Sequence, residues 1–350
     1  MAIRGRGQKL QSRKSKLSEG RIRATKVSET VAKSLSDQKG QAPHPTTIPL
    51  VAPIPQELKD IVDVSEEILG DDKIIKQIIN IATKNNAVIL AFIAPYSSER
   101  ISPIERRWAS IGISEEFGIE IALKQIRHKA ARIKKLYLLI NSEGGLLSSS
   151  FKIANFLRDS FEEITIFVPH IAASGGTLLT FAGNKIVMGA MANLTPIDVQ
   201  MSYKGTRVSA NTITYALNRL EAYFKTILPD EAPYPRKRMA ESIDPIILED
   251  WSAATNEIWY YAKELLKKSG YDNQNTLKIL INFVMTDYTH NFVIGKDKAK
   301  EFQLNISEDR VLLDELDVLD GWILKYIMKS SSKHFIRYIL PSNIQQSLLK

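Results

Sequence analysis

The chain has no cysteine among its 350 residues and only 5 histidines. The first absence excludes a disulfide framework, thiolate catalysis and any cysteine-ligated metal, and nothing demands an oxidising compartment. Long apolar runs are missing too. No stretch approaches the roughly 18 uninterrupted apolar residues of a membrane span, and the basic N-terminus has no apolar segment behind it to make a signal peptide. These absences predict a cytoplasmic protein. There is no G-x-G-x-x-G dinucleotide fingerprint and no set of His, Asp and Glu at ligand spacing, so neither a cofactor nor a metal is expected.

What charge there is sits at one end. Residues 1–40 hold 11 Lys and Arg against 3 Asp and Glu, a net +8 equal to that of the whole chain, so the remainder balances to zero. With Ser, Gly and Gln between the charges and no periodic apolar face, this reads as a disordered basic arm. Its candidate partner is a nucleic acid or another anionic surface, although no aromatic is interleaved for base stacking. Pro43, Pro45, Pro49, Pro53 and Pro55 make an extended linker. Arm and linker together occupy 1–56, a main domain 57–310, and a helical tail 311–350.

Inside the main domain, hydrophobicity alternates between short apolar runs and helical periodicity. A helix is predicted over Ile74 to Ala82, with Asp71 as its cap, and a strand over Ala87 to Ala94. Ser114 to Ile133 reads as a helix that feeds a strand, Leu136 to Asn141. That strand ends in Ser142-Glu143-Gly144-Gly145, and a helix follows over Ser148 to Leu157. A second buried strand, Ile164 to Val168, leads through Ala172-Ala173-Ser174-Gly175-Gly176 into a core helix, and then to a strand at Lys185 to Met188. Strands joined by short helices imply parallel neighbours with right-handed crossovers. Turns at the carboxyl ends of such strands lie side by side, where these sheets bind ligands. Further on, Ile213 to Leu228 and Ile246 to Leu266 read as helices. The longer one carries Trp251, Ile258 and Trp259, an apolar set that suggests a homo-oligomer.

I-N-S-E-G-G followed by A-A-S-G-G-T-L-L resembles the ClpP/crotonase superfamily, in which the first motif reads N-S-P-G-G. The closer resemblance is to its serine dehydrogenase proteinase branch, relatives of signal peptide peptidase A. That branch reads V-P-H-Y-A-M-S-G-G-T, A-A-D-E-I-V-M and L-G-P-V-D-P-Q, and here these stretches are Val168 to Thr177, Ala182 to Met188 and Leu194 to Gln200. A further echo, T-H-D-Y-P-I, is Thr289 to Ile294, and the whole covers about Val88 to Asn305.

The resemblance implies an α/β fold of repeated β-β-α units with parallel strands and helical C-terminal additions. It also implies a serine peptidase acting on a peptide or protein. Ser174 would be the nucleophile, with N–H groups of Gly175 and of Gly144 or Gly145 as oxyanion hole. Glu143 stands where the family has proline. ClpP's histidine position holds Asp198, so the base must come from elsewhere. His290, in a matched motif, is the first candidate, oriented by Asp198; His170, Lys204 and Lys225 are alternatives. His44, His128 and His334 fall in the linker, on a helix face and in the tail. Two other readings share the fold: a crotonase-type acyl-CoA enzyme, in which Ser174 is incidental, and a degenerate binding or assembly protein.

Because the arm has net charge but no apolar face, deleting residues 1–40 should leave the melting temperature unchanged. A drop of several degrees in differential scanning calorimetry would mean that it is folded onto the body.

Overall fold

A computed structural model describes residues 63–66, 72–94, 110–203, 206–228, 230–242, 244–327 and 335–348. The expected arm and linker, Lys204 and His334 lie outside the described residues. In chain order the elements begin with β1 (Asp63–Glu66), α1 (Lys73–Asn85), β2 (Ala87–Ile93), α2 (Ile113–Ala130), β3 (Lys135–Asn141) and α3 (Leu147–Ser160). Then come β4 (Glu163–Val168), β5 (Ile171–Ala172), α4 (Gly175–Thr180), β6 (Lys185–Met188) and β7 (Asn193–Leu194). A hairpin, β8 (Gln200–Tyr203) and β9 (Thr206–Ser209), opens the helical part: α5 (Ala210–Phe224), α6 (Tyr234–Glu241), α7 (Pro245–Lys268) and α8 (Asn273–Phe283). The chain closes through α9 (Lys296–Glu301), α10 (Arg310–Ile327), β10 (Phe335–Ile339) and α11 (Ser342–Leu348).

Six strands form the main sheet in the order β1-β10-β2-β3-β4-β6. From β2 to β6 all neighbours are parallel, and β10 runs antiparallel to β2. Parallel strands covered on both faces read as unbroken apolar runs, and every residue of β2 is buried. The pleat sorts them by parity. Val88, Leu90, Phe92, Leu136, Leu138 and Ile140 enter a core with residues of α2, α3, α7 and α8. Ile89, Ile93, Tyr137, Leu139 and Phe167 enter a second core built by α1 and α10. The α1 cap is Asp72, whose carboxylate accepts the Ile74 N–H, one residue beyond the expected Asp71.

Past the carboxyl ends of these strands runs a second line of pairings. Ile111 bridges to Gly145, Ser142 to Ala172, β5 pairs with β7, and Leu194 bridges to Ile294. Each long strand is therefore followed by a short second one before its helix, as in β4-β5-α4. This is the expected α/β architecture of repeated β-β-α units.

One expectation needs correction. The segment after 310 is not simply a helical tail. Its helix α10 places Leu312, Leu316, Leu319, Trp322 and Ile323 in the second core, and β10 is inserted into the sheet between β1 and β2. The domain boundary expected at 310 thus has no structural counterpart. On α7, Trp251 and Ile258 are buried within this chain and Trp259 packs against its core, while Ile246 and Tyr260 are exposed.

Ile339 of β10 is fully buried. Ile339→Ala should therefore destabilise the protein by about 2–4 kcal/mol in urea unfolding. A loss below about 0.5 kcal/mol, typical of a surface site, would contradict the placement of β10.

Candidate active site

The parallel register of β3 and β4 continues past their ends. Ser142 N–H donates to the Ile171 carbonyl (2.9 Å) and Ala173 N–H to the Ser142 carbonyl (2.9 Å), which sets the two glycine turns against each other. The contact is so close that side chains are excluded. Gly144 has φ +98°, and a Cβ on it would stand 2.5 Å from the Ala173 carbonyl oxygen. A Cβ on Gly175 would stand 2.4 Å from Ser150 Oγ. Both positions need glycine, one for its backbone and one for the approach.

Ser174 sits at φ +49°, ψ −112°, a strained conformation for a residue with a Cβ. Buried hydroxyls hold it there. Ser174 N–H donates to Thr195 Oγ1 (2.9 Å), and Thr195 N–H donates to Thr177 Oγ1 (3.1 Å). Thr177 Oγ1 in turn donates to the Ala172 carbonyl (2.7 Å). Two neighbouring amides differ in what they donate to. Gly144 N–H is taken by Ser142 Oγ (3.1 Å), whereas Gly145 N–H and Gly175 N–H donate to nothing among the described residues. Of the two donors left open by the sequence, Gly145 is the unengaged one.

Asp198 and His290 lie 92 residues apart, yet the fold joins them. Ile197 N–H donates to the Phe283 carbonyl at the end of α8 (2.7 Å), and Asn211 Nδ2 to the Val284 carbonyl (2.7 Å). At the other end of the loop, Leu194 and Ile294 exchange two backbone hydrogen bonds. The 284–294 loop is thus tied at both ends to the segment carrying Asp198, and Tyr288 stacks on Phe292 within it (3.9 Å, 6°). His290 Nδ1 hydrogen-bonds Asp198 Oδ1, and Gln200 Nε2 donates to Asp198 Oδ2 (2.9 Å). A carboxylate on Nδ1 fixes the tautomer with its proton there and leaves Nε2 as acceptor.

Ser174, Gly144, Gly145, Asp198 and His290 all line one cleft of about 530 Å³. The alternatives His170 and Lys225 do not. His170 Nε2 lies 2.7 Å from Asp320 Oδ1 of α10. Lys225 is exposed at the end of α5, and His128 is exposed on α2. Among the described residues no group of three His, Cys, Asp or Glu side chains could hold a metal ion, and no helix is long and apolar enough to cross a membrane. Sequence reasoning missed Thr195, Thr177 and Gln200. The signal for the first was present, since Thr195 stands where the resembled motif L-G-P-V-D-P-Q has glycine.

Residues 73–339 match the family described as ClpP-like SDH-type serine proteinases, and the chain belongs to that family. It is 27% identical over 249 residues to the uncharacterized protein MJ0137 of Methanocaldococcus jannaschii, covering 70% of this chain and 77% of the relative. To the uncharacterized protein MJ1495 of the same organism it is 28% identical over 171 residues, covering 49% and 51%. Among solved structures it is similar to a membrane-bound stomatin-specific protease, with TM-score 0.37, 15% identity, and 59% and 79% coverage. It is also similar to the ClpP protease catalytic domain of Plasmodium falciparum, with TM-score 0.35, 12% identity, and 70% and 96% coverage. The assignment rests on the family match rather than on these loose superpositions. It gives no support to a nucleic-acid partner.

The hydroxyl lattice under Ser174 makes a specific prediction. Thr195→Val keeps the shape but leaves the buried Ser174 N–H without an acceptor, and should cost about 1–3 kcal/mol in urea unfolding. Thr195→Ser should be close to neutral. Equal losses in the two variants would show that the hydroxyl does not hold the turn.

Proposed function

We propose that the protein is a serine endopeptidase whose nucleophile is Ser174, whose base is His290 and whose orienting carboxylate is Asp198. The observation that supports this reading best is the sharing of one cleft by a strained serine and a carboxylate-bound histidine. Serine is a weak nucleophile at neutral pH until a neighbour takes its proton. His290 Nε2 accepts that proton as Ser174 Oγ attacks the peptide carbonyl carbon, and Asp198 stabilises the imidazolium that forms. The carbonyl oxygen becomes an oxyanion, received by the Gly145 and Gly175 N–H groups, which are already oriented and have no other acceptor to leave.

The tetrahedral intermediate then collapses. The C–N bond breaks, the leaving amine takes the proton from His290, and an ester to Ser174 remains. Water attacks that ester with His290 again as base, releasing the acid and restoring the hydroxyl. The strained φ of Ser174 supports the same reading, because such a conformation persists only where the surroundings over-determine it.

Labelling of the full chain by a fluorophosphonate probe tests the assignment. Ser174→Ala should abolish labelling. His290→Ala should slow it by about 10⁴-fold or more, and Asp198→Asn by less, as in other serine peptidases where the carboxylate is the smaller single loss. Normal labelling by His290→Ala together with loss in Lys225→Ala would move the base to a lysine. A wild type that neither labels nor cleaves denatured protein would sink the peptidase reading in favour of a binding protein on this fold.

A further inference from the structure

One wall of the cleft is a single face of α7: Ala254, Glu257, Ile258 and Tyr261, at helical spacing. Nothing in the proposed acyl transfer uses these residues. Glu257 is nevertheless held in place. The Tyr261 hydroxyl one turn on donates to Glu257 Oε1, and the Tyr261 ring stacks on Phe151 of α3 with centroids 4.1 Å apart and planes 10° from parallel. The stacking fixes the ring, the ring fixes the hydroxyl, and the hydroxyl fixes one carboxylate oxygen. The Tyr261 pKa is pushed up to about 12, first by its hydrogen bond to Glu257 and then by burial, so the phenol remains a donor across the working pH range.

The Glu257 carboxylate is exposed to solvent on the cleft wall. Among the described residues no Lys, Arg or His pairs with it. Among the described residues no Lys or Arg lines the cleft. Its one cation-capable side chain, His290, is engaged by Asp198. Beside Glu257 stand Ile258 and, elsewhere in the lining, Val199 and Leu147. A carboxylate with apolar neighbours and an adjacent phenol ring matches the parts of a long basic side chain: an aliphatic stem and a charged head.

We propose that Glu257, positioned by Tyr261, forms a subsite for a lysine or arginine side chain of a peptide substrate. This rests on the reading of the cleft as a peptide-binding site, and it adds the substrate class which that reading lacks. The second oxygen of Glu257 receives the cation while the first stays with Tyr261. A neutral side chain of the same length gains the apolar contact only, so a basic residue should bind at least about tenfold more tightly.

The test is made on binding, so that it is separable from the chemistry. Full-length protein carrying Ser174→Ala is titrated into fluorescein-labelled octapeptide pools, each with one position fixed as arginine, norleucine or glutamate, and anisotropy is followed. At one position the arginine pool should bind at least about tenfold more tightly. Glu257→Gln should remove the difference, and Glu257→Lys should turn it into a preference for a fixed glutamate at that position. Tyr261→Phe, which keeps the ring and removes the hydroxyl, should lose part of it. The reversal by Glu257→Lys is a gain that a misfolded variant cannot imitate. No position preferring arginine, a preference that survives Glu257→Gln, or binding by none of the pools overturns the subsite. Failure of the serine mechanism shows separately, as a wild type that does not react with fluorophosphonate.

Discussion

The pairing of Ser142 with Ala172 is the constraint from which the rest of the site follows. It is two backbone hydrogen bonds beyond the last row of the main sheet. Those bonds carry the parallel register of β3 and β4 into the turns, so the turns meet backbone to backbone. From that contact come the requirement for glycine at 144, and the two amides of Gly145 and Gly175 that donate to nothing among the described residues. The next bridge out, Leu194 with Ile294, performs the same service for Asp198 and His290. A cleft lined from four segments needs few side-chain contacts to align its groups when the backbone ladder already does so.

Much of this was legible in residues because the strands are buried on both faces. Ala87 to Ile93, Leu136 to Asn141 and Ile164 to Val168 announce themselves as short apolar runs. The juxtaposition of the Gly-Gly and Ser-Gly-Gly turns followed from parallel connectivity alone. His290 could be named only because its motif matched a family; nothing local says that it meets Asp198. Their meeting depends on the 194–294 bridge, which is a fact of long-range register.

What stayed illegible has equally physical causes. Phe335 to Ile339 carries Arg337 in its centre and follows a Ser- and Lys-rich stretch, so the apolar signal of β10 is short and interrupted. Thr195 and Thr177 act through hydroxyls whose partners are backbone groups, and such partners leave no mark in sequence. The Glu257 carboxylate looks like any exposed position on a long amphipathic helix until the stack of Tyr261 on Phe151 is seen.

The insertion of β10 between β1 and β2 has a consequence for the order of events during synthesis. Ile93 pairs with Phe335, a partner made some 240 residues later. Until that segment leaves the ribosome, β2 presents an open row of amide and carbonyl groups along one side of an apolar strand. Both glycine turns, and every residue assigned a chemical role, are translated inside that interval. Such a nascent chain is exposed to misassociation for most of its production time, and its final zippering is a non-local and therefore slow step. The sheet is completed by its latest-made strand, so β10 acts as the latch on a fold whose working parts have been in place long before.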